Sequence, residues 1–551
     1  MIRAYTADQI RAAEEPLLAA GTPLMARAAH GLAQRTLHHL RSGGRFAPGA
    51  HVLLLVGAGS NGGDALHAGA LLRRRGVAVT AAPLADALHE EGRAALLRAG
   101  GRILPADGAD GADGADGADQ ADGADGPSGP AGVEALAAAL ERADLVLDAV
   151  LGIGGRSELP APMREAFDQV RSSGLPVLAV DVPSGLDATT GEAAPGLLHA
   201  VETITFGAVK TGLLLPGGAE TAERIHLVPI GIEEHLGEPS LLRLESADAA
   251  ALWPEPGRAD SKYTRGVVQI TAGSSQYPGA AVLSCSAAAH SGAGMVRLDA
   301  PSSVVDHVLQ ARPEIVGGTG QHQSAVIGSG CPGDDPRLAP ALAHVREATR
   351  PHSDRPVGAV IDAGGLEAIR RGDRFHGDVV LTPHASEAER LAEQLGVDAD
   401  QAPAALARAL AGATGATVLL KGSVTVIAPP SAEEPLRTQD DATGQLASAG
   451  TGDVLGGLLG ALLAAGLPGP EAAALAALVH GRAGVLASRG GAAPLVALDV
   501  ASRIPDVVAA LVRAHPRSGG PAGADPVGPE PAATAPRTPA SARPALSEGA
   551  A

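Results

Sequence analysis

Short apolar runs alternate with helical stretches along most of this 551-residue chain, and this alternation constrains the fold more than any other feature. Up to about residue 235 the runs are HVLLLVG, VAVTAAP, DLVLDAV, VLAVDVP, ETITFG and RIHLVPI. From about residue 260 to 515 they are VVQITAGS, AVIGSG, AVIDAGG, VVLTPH and TVLLKGSVTVIAP. Strands that alternate with helices form βαβ units around a mostly parallel sheet. We therefore predict two α/β domains.

The junction between the domains is predicted near residues 232–260, where Pro239, Pro254 and Pro256 interrupt the pattern. This places the domains at 1–235 and 240–515. An ADG repeat at 107–126 lacks the large apolar side chains that a core needs, so we predict a disordered insertion there. The tail at 516–551 is rich in Pro, Ala and Gly and is also predicted to be disordered.

Composition argues against several classes of protein. Aromatic residues make up only 1% of the chain and the net charge is -19, so no nucleic-acid partner is expected. The two cysteines, Cys285 and Cys331, exclude a disulfide scaffold and a cysteine-ligated zinc site. Together with an N-terminus that lacks an apolar signal region, they indicate a cytoplasmic protein.

The longest uncharged run, Val454–Pro470, is interrupted by glycines and is shorter than the roughly 18–20 residues that a membrane span needs. We expect a buried helix there and no membrane partner.

Lysine and asparagine are almost absent, and the few that remain are candidates for roles that their substitutes cannot fill. Of the 42 basic residues only Lys210, Lys262 and Lys421 are lysines, and Asn61 is the only asparagine. Arginine cannot replace a compact ammonium in a tight site.

The first candidate site lies in the N-terminal section. Gly57, Gly59 and Gly62 fulfil the dinucleotide pattern G-x-G-x-x-G, but VAVTAAP lacks the terminal acidic residue that should hold a ribose. A plain tight turn is an equal alternative. Asp64 also stands at the helix start, where a pyrophosphate would have to bind. We therefore discount a dinucleotide site.

Polar side chains at predicted strand ends point to a different kind of site, because these ends converge on the ligand crevice of a doubly wound sheet. Asn61, Asp148 and Ser184 offer hard oxygen ligands for a cation. Asp181 is a candidate acid or base, and Lys210 follows another strand. The alternative is that Asp148 and Asp181 only cap helices or turns.

The motifs SNGGD, DAVLGIGG, VDVPSGLDATTG and TFGAVKTG, in this order, resemble the NAD(P)H-hydrate epimerase domain, which has a Rossmann-like three-layer fold. The resemblance implies that Asn61, Asp148 and Ser184 hold potassium, and it makes Asp181 and Lys210 the catalytic candidates. It also implies a hydrate-binding set: Ser60, Asn61, Gly62, Gly63, Asp64, Gly152, Ile153, Gly154, Gly155, Arg156, Ser157, Glu158 and Asp181.

The sharpest single motif is GTGDVLGG, in which Gly450 and Gly452 flank Thr451 and Asp453 leads into an apolar helix. Backbone N–H groups at a helix start bind anions, and Asp453 could take a proton from a hydroxyl that approaches a phosphate. The alternative is a glycine-rich entry with Asp453 as a helix cap. Upstream, Lys421 ends a predicted strand and could contact a nucleotide phosphate.

The second section looks like the ribokinase-like fold, and it resembles the ADP-dependent NAD(P)H-hydrate dehydratase family more closely. The supporting motifs are SKYTRG, GSSQYPGAAVLSCSAAAHSGAGMV, RPEIV, VIDAGGL, LTPHASE, LLKGSVTVIA and GTGDVLGG. The resemblance implies magnesium, ADP as phosphoryl donor and Asp453 as catalytic residue. It implies hydrate contacts from Ala280, Gly330, His384 and Asp453. It implies nucleotide contacts from Lys421, Gly422, Ser423, Val424, Thr425 and Gly452.

Together these resemblances imply a bifunctional enzyme that repairs NADHX and NADPHX, the hydrated forms of NADH and NADPH. The N-terminal domain would interconvert the R and S epimers. The C-terminal domain would dehydrate the S epimer with ADP and release AMP and phosphate. A homo-oligomer is expected. The alternative is a ribokinase-like small-molecule kinase with a non-catalytic N-terminal binding domain.

Overall fold

The computed structural model describes residues 1–44, 48–106, 129–155, 158–349 and 357–516. The predicted ADG insertion at 107–126 lies outside the described residues, as do the predicted hydrate-binding residues Arg156 and Ser157. Of the predicted tail, only Pro516 is described.

Strands and helices alternate through both sections. In chain order, the strands are β1 (Ile2–Tyr5), β2 (His51–Val56), β3 (Ala78–Pro83), β4 (Arg102–Ile103), β5 (Leu145–Ala149), β6 (Val177–Val180), β7 (Glu202–Phe206), β8 (Val209–Lys210), β9 (Ile225–Val228), β10 (Leu241–Arg243), β11 (Val267–Thr271), β12 (Met295–Asp299), β13 (Val316–Gly317), β14 (Ser324–Ile327), β15 (Gly358–Ile361), β16 (Val379–Leu381), β17 (Thr417–Leu420), β18 (Thr425–Ala428) and β19 (Leu436–Gln439).

The helices connect these strands and cover the sheets. They are α1 (Ala7–Ala19), α2 (Leu24–Ser42), α3 (Ser60–Arg73), α4 (Glu90–Arg98), α5 (Val133–Leu140), α6 (Ala161–Ser173), α7 (Thr211–Leu214), α8 (Pro216–Thr221), α9 (Ser246–Leu252), α10 (Pro278–His290), α11 (Ser302–Ala311), α12 (Leu338–Ala348), α13 (Gly364–Glu367), α14 (Ala385–Leu395), α15 (Pro403–Thr414), α16 (Thr451–Ala464), α17 (Gly469–Ala487) and α18 (Ala497–Ala514), with short 3-10 turns at Glu233–His235 and Gly444–Leu446.

The N-terminal section forms a parallel sheet of seven strands in the order β4-β3-β2-β5-β6-β7-β9. Its central strand β2 is buried on both faces, since Leu53 and Leu55 pack in one core while Val52, Leu54 and Val56 pack in another. Continuous apolar runs are typical of parallel strands that are covered by helices on both sides. The sheet therefore lies between two helical layers, as the apolar runs predict.

The C-terminal section forms a larger sheet of twelve strands in the order β13-β12-β11-β14-β15-β16-β17-β18-β19-β10-β1-β8. The strands from β13 to β17 pair in parallel, which confirms the α/β class predicted for this section. Alternate residues of β14 again point to different cores: Ala325 and Ile327 to one, Val326 to the other.

The twelve-stranded sheet also contains two strands from the N-terminal section. The first strand of the chain, β1, pairs antiparallel with β10 and parallel with β8. The sequence pattern did not predict these short strands. The described residues up to His515 pack as one compact unit, so the domain boundary placed at 235–240 stays a prediction.

The uncharged run Val454–Pro470 contains most of α16, a turn and the start of α17, and its helical residues are largely buried. This agrees with the buried helix predicted there. In the part of the chain that the structure describes, no helix is both long and apolar enough to cross a bilayer.

Candidate functional site

The ammonium group of Lys210 lies buried in the N-terminal section, in contact with the carboxylate of Asp181. Its Nζ also donates to Oγ1 of Thr205 at 3.0 Å and to the carbonyl oxygen of Phe206 at 2.9 Å. Because a buried charge is costly unless it is paired and hydrogen-bonded, these contacts offset the cost of burying the ammonium group. The two catalytic candidates from the sequence are therefore in direct contact.

Asp181 follows β6 and adopts a positive φ of 68°, which is uncommon for a residue other than glycine. Its Oδ1 accepts hydrogen bonds from the backbone N–H of Phe206 and from Thr205 as well as from Lys210. A Cβ atom placed on Gly152 would lie 3.7 Å from Oδ2. One carboxylate oxygen is therefore held by β7 and Lys210, and the other faces the loop that follows β5.

A cavity of about 570 Å³ opens at this edge of the sheet, and both Asp181 and Lys210 line it. Asp64 lines the same cavity; it is 8% exposed, and its Oδ1 has no hydrogen-bond partner among the described residues. Burial, with smaller contributions from Asp181 and Glu14, raises the pKa of Asp64 to about 8. The partly buried Glu14 also lines the cavity, and burial raises its pKa. Asp64 therefore tends to hold a proton near neutral pH.

The three predicted cation ligands meet around the backbone of Leu151. Ser184 donates from Oγ to Asp148 at 2.6 Å, and its N–H donates to the same carboxylate at 2.8 Å. Ser184 Oγ accepts the N–H of Leu151 at 2.9 Å, while Asn61 Nδ2 donates to the carbonyl oxygen of Leu151 at 2.9 Å. Burial raises the pKa of Asp148. The buried Oδ1 of Asn61 has no hydrogen-bond partner among the described residues.

The predicted hydrate-binding residues of this section come from the start of α3 and from the loop that follows β5. The set Ser60, Asn61, Gly62, Gly63 and Asp64 forms the first turns of α3, where a Cβ on Gly62 would lie 2.2 Å from the carbonyl oxygen of Gly57. Gly152, Ile153, Gly154 and Gly155 line the cavity from the other side. Glu158 lines a neighbouring cavity of about 570 Å³ that shares Gly154 and Gly155.

The second candidate site forms where α16 begins. Gly450 caps the helix with φ of 88°, and Asp453 is the third helical residue. Burial and the nearby Asp362 raise the pKa of Asp453 to about 6, while Ser329 and Lys421 act in the opposite direction. A carboxylate with this pKa can accept a proton near neutral pH.

Lys421 faces the start of the same helix, since a Cβ placed on Gly452 would lie 3.6 Å from its Nζ. Its Nζ donates to Asp362 at 3.0 Å and lies 3.6 Å from Glu387. Burial lowers the pKa of Lys421, but the neighbouring carboxylates outweigh burial and hold it above its ordinary value. An ammonium group and a helix N-terminus together form an environment that suits a phosphate.

Most of the predicted nucleotide-binding residues line a cavity of about 890 Å³. Those that line it are Lys421, Gly422, Ser423, Thr425 and Gly452, while Val424 is buried beside them. His384 also lines it, and its Nδ1 caps α14 by accepting the N–H of Glu387 at 3.3 Å. Ala280 and Gly330 are not among the residues that line this cavity. They lie against each other, since a Cβ on Gly330 would lie 2.4 Å from that of Ala280.

Three residues of this site were not among the sequence-based candidates. Asp362 and Glu387 stand in the motifs VIDAGGL and LTPHASE, and Asp362 follows a strand, which is the signal that could have identified it. His480 lines the cavity from α17, with its Nε2 2.9 Å from the carbonyl oxygen of Thr451. Nothing in the sequence around His480 indicates that position.

Known protein families match both sections. A family model described as YjeF-related protein N-terminus matches residues 21–212, and one described as NAD(P)H-hydrate dehydratase matches residues 268–506. Among solved structures, the ADP/ATP-dependent NAD(P)H-hydrate dehydratase from Bacillus subtilis, co-crystallised with ATP and Mg²⁺, aligns with 49% of this chain and 98% of its own, with 26% identity and a TM-score of 0.44.

Two full-length relatives carry the same description. The bifunctional NAD(P)H-hydrate repair enzyme of Mycobacterium leprae is 40% identical over 524 residues, which cover 92% of this chain and 99% of that protein. Its counterpart in Escherichia coli K12 is 31% identical over 476 residues, 83% of this chain and 85% of that protein. Because the identity extends over nearly the whole of both chains, this chain belongs to the family of bifunctional NAD(P)H-hydrate repair enzymes.

Proposed function

We propose that this chain repairs NADHX and NADPHX by epimerising the R and S hydrates in its N-terminal section and dehydrating the S epimer in its C-terminal section. Two features of this family member support the proposal. One is the buried Lys210–Asp181 pair in the N-terminal section, and the other is the helix start at Asp453, which Lys421 faces in the C-terminal section. ADP is the phosphoryl donor, and the products are NAD(P)H, AMP and phosphate.

Dehydration requires a better leaving group than hydroxide, and phosphorylation of the ring hydroxyl supplies one. Asp453 takes the hydroxyl proton, which its pKa of about 6 supports, since the carboxylate is then largely ionised at neutral pH. The N–H groups at the start of α16 and the ammonium of Lys421 stabilise the transferring phosphoryl group. Departure of the phosphate with the C–O electron pair leaves a C=N bond to the ring nitrogen, and loss of a proton from the adjacent ring carbon then restores the double bond of NAD(P)H.

The nucleotide would occupy the cavity lined by Lys421, Gly422, Ser423 and Thr425. Lys421 Nζ lies 3.0 Å from Asp362 and 3.6 Å from Glu387, and the described residues contain no cluster of three or more histidine, cysteine or carboxylate side chains that could hold a metal ion by themselves. Magnesium would therefore be held chiefly by the nucleotide phosphates, with one or two of these carboxylates as additional ligands. Magnesium would supply positive charge to the phosphate oxygens. His384, Ala280 and Gly330 remain predicted hydrate contacts.

Potassium would be held in the N-terminal section by Asn61, Asp148 and Ser184. The fit rests on the buried Oδ1 of Asn61, which has no hydrogen-bond partner among the described residues, and on the oxygens of Ser184 and Asp148, which are linked to Asn61 through the backbone of Leu151. A bound cation would offset the charge of Asp148 and attract an anionic oxygen of the hydrate. Asn61 and Ser184 also hold the backbone of Leu151, so they position the loop that begins at Gly152.

The experiment that tests the proposal mixes the full chain with epimeric hydrate and ADP, with ATP in a parallel reaction, and follows the return of NAD(P)H absorbance. A small-molecule kinase of the ribokinase class would instead leave a stable phosphorylated product. Release of free phosphate together with NAD(P)H therefore supports repair, and accumulation of a phosphorylated compound contradicts it. The homo-oligomeric state and the cytoplasmic location stay predictions.

A further inference from the structure

The proposed epimerisation needs both a proton donor and a proton acceptor. Addition of water to an enamine double bond of a dihydronicotinamide places the hydroxyl on a ring carbon bonded to nitrogen. Inverting that carbon requires one bond to break and another to form on the opposite face. A leaving hydroxyl needs a proton, and an entering water must lose one. One carboxyl group in a single protonation state does not meet both needs at once.

The cavity presents two carboxyl groups in different surroundings. Asp181 contacts the ammonium of Lys210 and accepts further hydrogen bonds from Thr205 and from the backbone of Phe206, so its Oδ1 is surrounded by donors. Asp64 comes from a different element, the first turns of α3, and its buried Oδ1 has no hydrogen-bond partner among the described residues. Such surroundings favour the neutral acid at Asp64.

We infer that, within the proposed epimerase reaction, Asp64 is the proton donor and Asp181 is the proton acceptor, so that Asp64 is a catalytic residue and not only a hydrate contact. This inference rests on the proposed function of the N-terminal section. Two carboxyl groups in different surroundings, one with hydrogen-bond donors around it and one without, are a recurrent way to divide acid and base roles.

The step balances without an oxidant or a reductant. The C–O bond breaks with its electron pair on oxygen, the oxygen takes the proton of Asp64, and the nitrogen lone pair forms a C=N bond as water departs. A water molecule then adds to the other face of the same carbon, the C=N pair returns to nitrogen, and the extra proton passes to Asp181. The enzyme is left with ionised Asp64 and protonated Asp181, which is the state required for the reverse direction.

Several charged groups act on Asp64, and they indicate its behaviour with pH. Asp181 and Glu14 disfavour its ionisation while Lys210 favours it, and burial is the largest influence. His89 packs against the neighbouring Gly63 from the segment before α4. With a pKa of about 8 for Asp64, epimerisation should lose its acid as the pH rises above that value.

The test uses the full chain and compares Asp64→Asn with the wild type on pure R hydrate, measured as initial rates of epimerisation. We expect kcat to fall by about 100-fold or more, because a positioned general acid typically accelerates a reaction by at least that factor. KM should change less than about threefold. The loss of rate above pH 8 should disappear from the residual activity. In H₂¹⁸O, the wild type should incorporate one labelled oxygen per inversion.

Two controls separate the outcomes. Asp86→Asn replaces an exposed aspartate of the same section and should leave both activities unchanged. Dehydration of pure S hydrate and the melting temperature report whether Asp64→Asn remains folded.

Epimerisation by a folded Asp64→Asn at a rate within threefold of wild type overturns the inference. A rise in KM alone, or an absence of ¹⁸O in the product, also overturns it. If Glu14→Gln instead removes the loss of rate above pH 8, the acid is Glu14. A wild-type chain that fails to epimerise contradicts the proposed function itself.

Discussion

Ser423 donates a hydrogen bond of 3.0 Å from its hydroxyl to Oε1 of Glu220, and this bond joins the predicted nucleotide loop to the N-terminal section. Ser423 lines the nucleotide cavity, whereas Glu220 lies in α8, about two hundred residues earlier in the chain. The N-terminal section therefore contributes to the position of a loop that is predicted to bind ADP, although the two candidate sites occupy separate cavities.

Removal of this contact should weaken nucleotide binding slightly. Because an exposed hydrogen bond contributes about 0.5–1 kcal/mol, Glu220→Ala should raise KM for ADP by roughly 2- to 5-fold, with little change in kcat. Steady-state dehydration of S hydrate at varied ADP measures the effect. Glu234→Ala, at another exposed glutamate of the same section, is the matched control. An unchanged KM for ADP in Glu220→Ala would mean that the hydrogen bond does not position the loop.

Asp453→Asn should abolish dehydration without unfolding the chain. A general base contributes typically 10²–10⁴-fold, so we expect a loss of at least that size, while ADP binding persists. In the wild type, protonation of Asp453 near its pKa of about 6 should lower kcat as the pH falls below 6. Rates from pH 5 to 8 test this, with Asp306→Asn as an exposed control. Near-normal turnover by Asp453→Asn would place the base elsewhere.

The strands that carry the candidate sites could be predicted because each is a continuous apolar run bounded by polar residues. β2, β5 and β6 are buried on both faces, and Asp181 and Asn61 stand just beyond strands that the pattern identifies. Parallel strands all present their carboxyl ends at one edge, so the convergence of these side chains follows from the topology alone.

The remaining features depend on contacts between distant parts of the chain. β1 is only four residues long, and its place in the twelve-stranded sheet follows from pairing with β10, more than two hundred residues away. Local propensity cannot select such a partner. Likewise, the sequence of α17 does not distinguish His480 from an ordinary core histidine. Its position in the nucleotide cavity follows from the packing of α17 against the sheet and α16.

His480 should make the protein less stable in mild acid. Burial lowers its pKa to about 4 from an ordinary value of 6.5, so between these values the unfolded chain binds a proton that the folded chain does not. The free energy of unfolding should therefore fall as the pH drops from 6.5 to 4, by at most about 3 kcal/mol from this residue. Urea unfolding without nucleotide at pH 7, 6 and 5 measures the slope.

The matched variants isolate this contribution from that of other titrating groups. His480→Gln keeps a donor for the carbonyl oxygen of Thr451 but does not titrate, so its stability should depend less on pH over this range than that of the wild type. His376→Gln, at an exposed histidine of the same section, should behave like the wild type. Equal slopes for His480→Gln and the wild type would contradict the prediction.

The independence of the two sites is best tested at Asp181. The informative substitution there is one that removes the proton acceptor but keeps a hydrogen-bond partner for Lys210. Asp181→Ala would leave the buried ammonium of Lys210 without its carboxylate, at a cost of about 3–5 kcal/mol, and unfolding could then imitate a catalytic defect. Asn retains an oxygen that accepts from Lys210, and it tolerates the positive φ at this position better than most residues.

Asp181→Asn should therefore remain folded and lose rapid repair of the R hydrate, by about 100-fold or more, because it cannot accept a proton. Repair of pure S hydrate should stay near the wild-type rate, since distant sites without shared partners rarely couple by more than about 0.5 kcal/mol. Initial rates must be compared, because slow spontaneous epimerisation would hide the defect at long times. If a folded Asp181→Asn loses both activities, the two sites are coupled or the proposed division of the two reactions is wrong. If it loses neither, the base of the epimerase is not Asp181.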